Sequence, residues 1–221
     1  MPRSAAERRA ELVALYHELH DDHGCPLAAT RTNLVFGTGE PDADLMFVGE
    51  APGQHEDVQG KPFVGRAGKL LDELLGEIGF QRRQVFIANV LMCRPPGNRD
   101  PLPDEIGECE PYLRRKIELI EPRVICTLGN FATKLLTGKR DGIMRVRGTP
   151  QMHTIAGRSV RLYPLCHPAA ALRTPAVLQT LREDFSRIPA LLAEPLPEVE
   201  APPELEDDAP SVSAEQLGLF A

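Results

Sequence analysis

Apolar residues recur along this chain in two rhythms. Leu12, Leu15, Tyr16 and Leu19 keep helical spacing and predict a helix over 5–21. Leu70, Leu71, Leu74, Leu75 and Ile78 do the same over 65–79, where Gly79 supplies a C-terminal stop. A third helix is predicted over 104–120, just after Pro103 and with acidic residues in its first turn. A last one is predicted over 175–192. Between them lie short, nearly continuous apolar runs at 44–48, 85–91, 123–128 and 160–165. These suit buried strands.

Strands alternating with helices over about 150 residues predict an α/β protein. The expected architecture is a three-layer sandwich around a central, mostly parallel four-stranded sheet. Such sheets bind ligands at the C-terminal ends of their strands. Three polar segments fall at such ends: 49–53, Asn89, and His167-Pro168.

Composition changes sharply at Glu194. From there to Ala221 the chain has eight acidic residues, many prolines and no Lys or Arg. It lacks the apolar content to fold, so 194–213 reads as a disordered linker. An apolar cluster returns at 214–221. This tail accounts for the whole net charge of −7, so residues 1–193 are slightly basic. An acidic chain therefore does not exclude a nucleic-acid partner. No apolar run reaches the ~20 residues of a membrane span. The N-terminal segment is charged and lacks a signal-peptide core. The expectation is a soluble, cytoplasmic, nucleoid-associated monomer.

Several residues could carry chemistry. Gly49, Glu50, Ala51, Pro52 and Gly53 form a glycine-rich loop after a strand, followed by Gly60, Pro62, Phe63, Val64 and Gly65. Such a loop is either a tight turn or a place where backbone approaches a ligand. Asn89 stands in an apolar strand and needs polar partners there, or it pins a loop. His167 is either held by a turn or functional. Five cysteines in a chain without a signal peptide argue against a disulfide framework. Cys25, Cys93 and Cys109 are open to metal ligation, redox use or burial. Cys126 and Cys166 lie in apolar strands and read as buried.

Taken in order, these motifs form a pattern. Cys25, Arg31-Thr32, Val35-Phe36-Gly37, 49–53, Glu56-Asp57, 62–65, Asn89, Cys93-Arg94-Pro95-Pro96, Asn98-Arg99, Cys109 and His167-Pro168 resemble the family 4, iron–sulfur uracil-DNA glycosylases. The resemblance covers about residues 20–190. It implies an enzyme that flips uracil out of DNA and hydrolyses its N-glycosidic bond, initiating base-excision repair. A covalent uracil-DNA-capturing relative and a non-catalytic DNA-binding iron–sulfur protein are the alternatives.

The resemblance also implies roles. Phe63 stacks on the base and Asn89 pairs with its O4 and N3–H, with Gly49, Ala51 and Gly53 around them. His167 donates to O2. An Asp in the best-known uracil glycosylases corresponds to Ala51, so Glu50 is the first choice to orient water, with Glu56 and Asp57 behind it. Gly53 stands where a Tyr would screen out the thymine methyl. Arg94, Arg99, Leu172 and Arg173 are candidate DNA contacts.

A [4Fe-4S] cluster is implied on Cys25, Cys93 and Cys109. The family's first cysteine position falls here on Asp22. Asp22, His23 or His20 then supplies the fourth ligand, or one iron site is lost. Finally, Gln216, Leu217, Leu219 and Phe220 resemble the peptide that binds the bacterial DNA sliding clamp.

Overall fold

The computed structural model describes residues 3–21, 24–155 and 157–197. Helix α1 (Ala5–Asp21) is followed by strands β1 (Thr38–Gly39) and β2 (Leu45–Gly49). Next come α2 (Gln54–Gln59), α3 (Arg66–Glu77), β3 (Phe86–Asn89) and α4 (Pro103–Ile120). Strand β4 (Val124–Leu128) leads into α5 (Asn130–Thr137) and α6 (Ile143–Val146). The hairpin β5 (Gln151–Ile155) and β6 (Arg158–Leu165) precedes α7 (Pro168–Ala171), α8 (Pro175–Phe185) and α9 (Ile188–Ala193).

The described strands form one sheet in the order β1-β3-β2-β4-β6-β5. Its four central strands are parallel and correspond to the four apolar runs. Two antiparallel edge strands extend it beyond the expected four. β1 is only two residues long, and β5 is polar and half-exposed, so neither carries a buried-strand signal.

Alternation along the strands sorts the core. Met46, Val48, Phe86, Ala88, Ile125 and Leu162 face α1, α4 and α5. Leu45, Phe47, Ile87, Val124, Cys126, Tyr163 and Leu165 face α3, α8 and α9. Successive side chains point to opposite faces of a strand, so a run apolar throughout is buried on both. The helix expected over 175–192 is broken at Ser186-Arg187. Pro189, in the first turn of α9, has no N–H to continue the ladder of α8. Cys126 and Cys166 are buried, as their setting suggested.

The N-terminal end of the sheet is closed by charge pairs. Glu121, the left-handed cap of α4 (φ 56°), meets Arg3, Arg8 and Arg158 at 3.1, 2.7 and 3.3 Å. Buried Arg161 pairs with Glu194 at 3.2 Å and donates to the Leu191 carbonyl. Loops at the opposite end are left to build a site.

Candidate active site

At the C-terminal ends of the parallel strands lies a cavity of about 350 Å³. Its walls come from the loop after β2 (Glu50, Gly53, Phe63), the end of β3 (Asn89), the loop beyond it (Arg99) and the turn after β6 (His167). Segments far apart in sequence meet here because each follows a parallel strand, near the point where the strand order reverses. Ala51 lines the cavity as well. Gly49 lies beneath: a Cβ there would strike Asn89 Oδ1 and stand 2.7 Å from the Phe63 ring.

Asn89 is buried, and its Oδ1 is the buried side-chain acceptor without a partner among the described residues. Native proteins rarely leave such an atom unpaired. Such an atom is available to a donor from outside the protein.

Phe63 is held in a strained conformation. Its φ is 51°, in the left-handed region that non-glycine residues avoid at a cost of about 1–2 kcal/mol. Three neighbours enforce it. Arg82 donates to the carbonyls of Pro62 and Phe63, the latter at 3.0 Å. Glu56 Oε1 accepts the N–H groups of Val64 and Gly65, both at 2.9 Å. A Cβ on Gly68 would run into the Phe63 carbonyl. The ring ends up stacked on His167, with centroids 5.7 Å apart and planes 29° off parallel.

His167 caps α7. Its Nδ1 accepts the Ala169 N–H at 3.1 Å. The ring proton therefore sits on Nε2, which is left free to donate. Burial pushes the imidazole down to about 4, against a smaller opposing pull from Glu56. The group is neutral near pH 7.

Glu50 is half-buried in the cavity wall, and burial, then the charge of Asp100, raise its carboxyl above the usual range. The two acids ranked behind it are committed elsewhere. Glu56 holds the Phe63 loop. Asp57 accepts from the Thr32 N–H and hydroxyl, both at 2.8 Å. Glu56 Oε2 does reach 2.7 Å from where a side chain on Gly53 would begin.

Arg99 stands at the rim. Buried Glu105 grips both of its terminal nitrogens, one at 2.9 Å, and accepts the Leu102 N–H at the start of α4. Arg94 is outside the cavity and donates to Asn98 at 2.7 Å. Leu172 and Arg173 are exposed just past α7 and do not line the cavity.

Beside this site Cys25, Cys93 and Cys109 converge as buried thiols. Contact with Cys25 and burial both push the other two thiols far up, which disfavours lone thiolates there. Arg31 Nη1 lies 3.4 Å from Cys93 Sγ. Among the described residues no three His, Cys, Asp or Glu side chains surround a single-ion site. As donor chemistry, three soft sulfurs from three separate segments suit a thiolate-bound cluster. Asp22 and His23 lie outside the described residues. So do Gln216, Leu217, Leu219 and Phe220.

Local sequence hid Arg82, Gly68, Glu105 and the anchoring role of Glu56. Only Gly68 leaves a trace, as a glycine inside an otherwise good helix.

Comparison with known proteins gives the family. Residues 36–188 match the uracil DNA glycosylase superfamily. A type-4 uracil-DNA glycosylase of Sulfurisphaera tokodaii is 48% identical over 176 residues, 77% of this chain and 80% of that protein. Those of Archaeoglobus fulgidus and Thermotoga maritima are 43% and 48% identical, over 83% and 75% of this chain and 94% and 85% of their own lengths. The chain belongs to the type-4 uracil-DNA glycosylases. Glycosylases act on a base taken out of the stack. No described helix is long and apolar enough to cross a membrane.

Proposed function

We propose that this chain extrudes uracil from DNA into the cavity and hydrolyses its N-glycosidic bond, leaving an abasic site for base-excision repair. The observation that carries this reading is the meeting of Phe63, Asn89 and His167 in one hollow. Phe63 stacks on the flipped ring. Asn89 Oδ1 accepts N3–H, and its Nδ2 donates to O4. Cytosine presents the reverse pair, leaving buried atoms unpaired at a cost of several kcal/mol.

As the bond breaks, negative charge gathers on uracil O2. His167 Nε2–H donates to it, a type of stabilisation worth about 3 kcal/mol per donor. A neutral imidazole suffices, which accords with its lowered pKa. Glu50 orients the attacking water. Glu56 Oε2, over Gly53, screens out the thymine methyl that no side chain on Gly53 can block. Arg99, steadied by Glu105, holds a backbone phosphate. Arg94, Leu172 and Arg173, outside the cavity, are further DNA contacts.

Cys25, Cys93 and Cys109 would hold a [4Fe-4S] cluster, with the fourth ligand at Asp22, His23 or His20. The cluster would staple the loop carrying Arg99. Residues 214–221, on their acidic tether, would dock the enzyme on the DNA sliding clamp and raise its local concentration on DNA.

The test is incubation with a uracil-containing oligonucleotide followed by alkali. Strand breaks at uracil are expected. A shifted, heat-stable band would mean covalent capture instead. Binding without either would overturn catalysis.

A further inference from the structure

Lys116 lies on α4 with its side chain fully buried. Its ammonium touches the Phe36 carbonyl at 2.6 Å, Met92 Sδ at 3.0 Å and the Phe36 ring face, 4.2 Å from the centroid. None of these is an anion. Neutral acceptors satisfy the N–H groups but leave the charge uncompensated, and a buried lone charge costs several kcal/mol. Among the described residues, buried Glu105, Asp184 and Arg161 are paired with Arg99, Arg147 and Glu194, and buried Asp57 is held by the Thr32 N–H and hydroxyl. Lys116 is the buried cation among the described residues whose contacts include no carboxylate.

What stands near it is sulfur. Cys109 precedes Lys116 by seven residues on the same face of α4. Met92, whose sulfur touches Nζ, adjoins Cys93 in sequence, and its N–H donates to Cys109 Sγ. Burial pulls the amine down to about 7, and the charge that opposes this is that of Cys109. Three neutral thiols would give the lysine no compensation. Thiolates holding a cluster would, because their summed negative charge exceeds the positive charge of the core.

We infer that Lys116 is the buried counter-charge of the cluster-binding cysteines, retaining the anionic group and easing its reduction. The inference rests on the cluster reading above. A cation beside a cluster favours the form with the extra electron, so its removal lowers the midpoint potential.

The test uses the full chain, purified anaerobically, as wild type and as K116M, K116Q and K116R. Iron per chain, the half-life of iron release to a chelator in air, and the midpoint potential are measured, with far-UV circular dichroism as a folding check. Both neutral variants should release iron several-fold faster and show a more negative potential, while K116R stays near wild type. K116Q keeps a donor for the Phe36 carbonyl, so it isolates charge from hydrogen bonding. Unchanged release and potential in the neutral variants would overturn the inference. So would loss of helicity in both, which would make Lys116 a folding residue. Iron-free wild-type protein would instead overturn the cluster reading itself.

Discussion

The two ends of the central sheet treat polar groups in opposite ways. At the N-terminal end, Glu121 is surrounded by three arginines and Arg161 is tied to Glu194. Charge there is saturated, and it closes the fold. At the C-terminal end, Asn89 Oδ1 is unpartnered, Glu50 has a raised carboxyl and His167 a lowered imidazole. On the proposed reading, polar capacity there is withheld from the protein and kept for a substrate. The same parallel strands serve both ends, so the contrast separates residues kept for stability from residues kept for chemistry.

Substitutions at the withheld end should hit activity first. Asn89→Asp reverses the fit for uracil, and the preference for uracil over cytosine should collapse by about 10⁴-fold. Unchanged selectivity in paired single-turnover assays would remove Asn89 from recognition. His167→Ala should slow the cleavage step by about 10²–10³-fold while DNA binding changes little. The same variant reports on stability. The His167 value of about 4 lies below the free value of about 6.5. As pH falls through the free value, the unfolded chain takes a proton that the folded chain refuses. Stability is thus lost between those two values and no further below them. His167→Ala should flatten that stretch of the denaturation profile.

Glu50→Gln should remove the acid limb of the pH–rate profile, since the wild-type carboxyl protonates above the usual carboxylate range. A retained limb would assign it to another group. Glu105→Gln keeps an acceptor for the Leu102 N–H but releases Arg99. KM for DNA should rise about tenfold with kcat nearly constant, and the salt dependence of binding should fall by about one unit. A kcat loss instead would mark Glu105 as structural. The smallest effect on catalysis belongs to the saturated end. Glu121→Gln should cost about 1–2 kcal/mol in unfolding free energy with excision per folded enzyme unchanged. Impaired excision there would break the division between the two ends.

Much of the architecture was legible along the chain. The long helices announce themselves because burial on one face imposes a period on apolar residues, and the four parallel strands because burial on both faces leaves short continuous apolar runs. The loop at 49–53, Asn89 and His167 could be placed at strand ends for the same reason. The edge strands could not. β1 is too short to show a period, and β5 is defined by pairing with β6 rather than by its own side chains. Lys116 reads in sequence as one more charge among Arg114, Arg115 and Glu118, and only its spacing from Cys109, Leu113 and Ile120 hints that it points inward.

The sequence by itself determined which segments become strands and helices, the acidic character of the tail and the residue types available for chemistry. Those follow from local periodicity and composition. Tertiary structure alone decided that Asn89 keeps an open acceptor, that Glu56 braces a strained Phe63 rather than moving a proton, and that a lysine is buried against Met92 within reach of the charge of Cys109. Each of these depends on what stands across a space of a few ångströms from segments tens of residues away. Burial and electric charge act through that space, not along the chain.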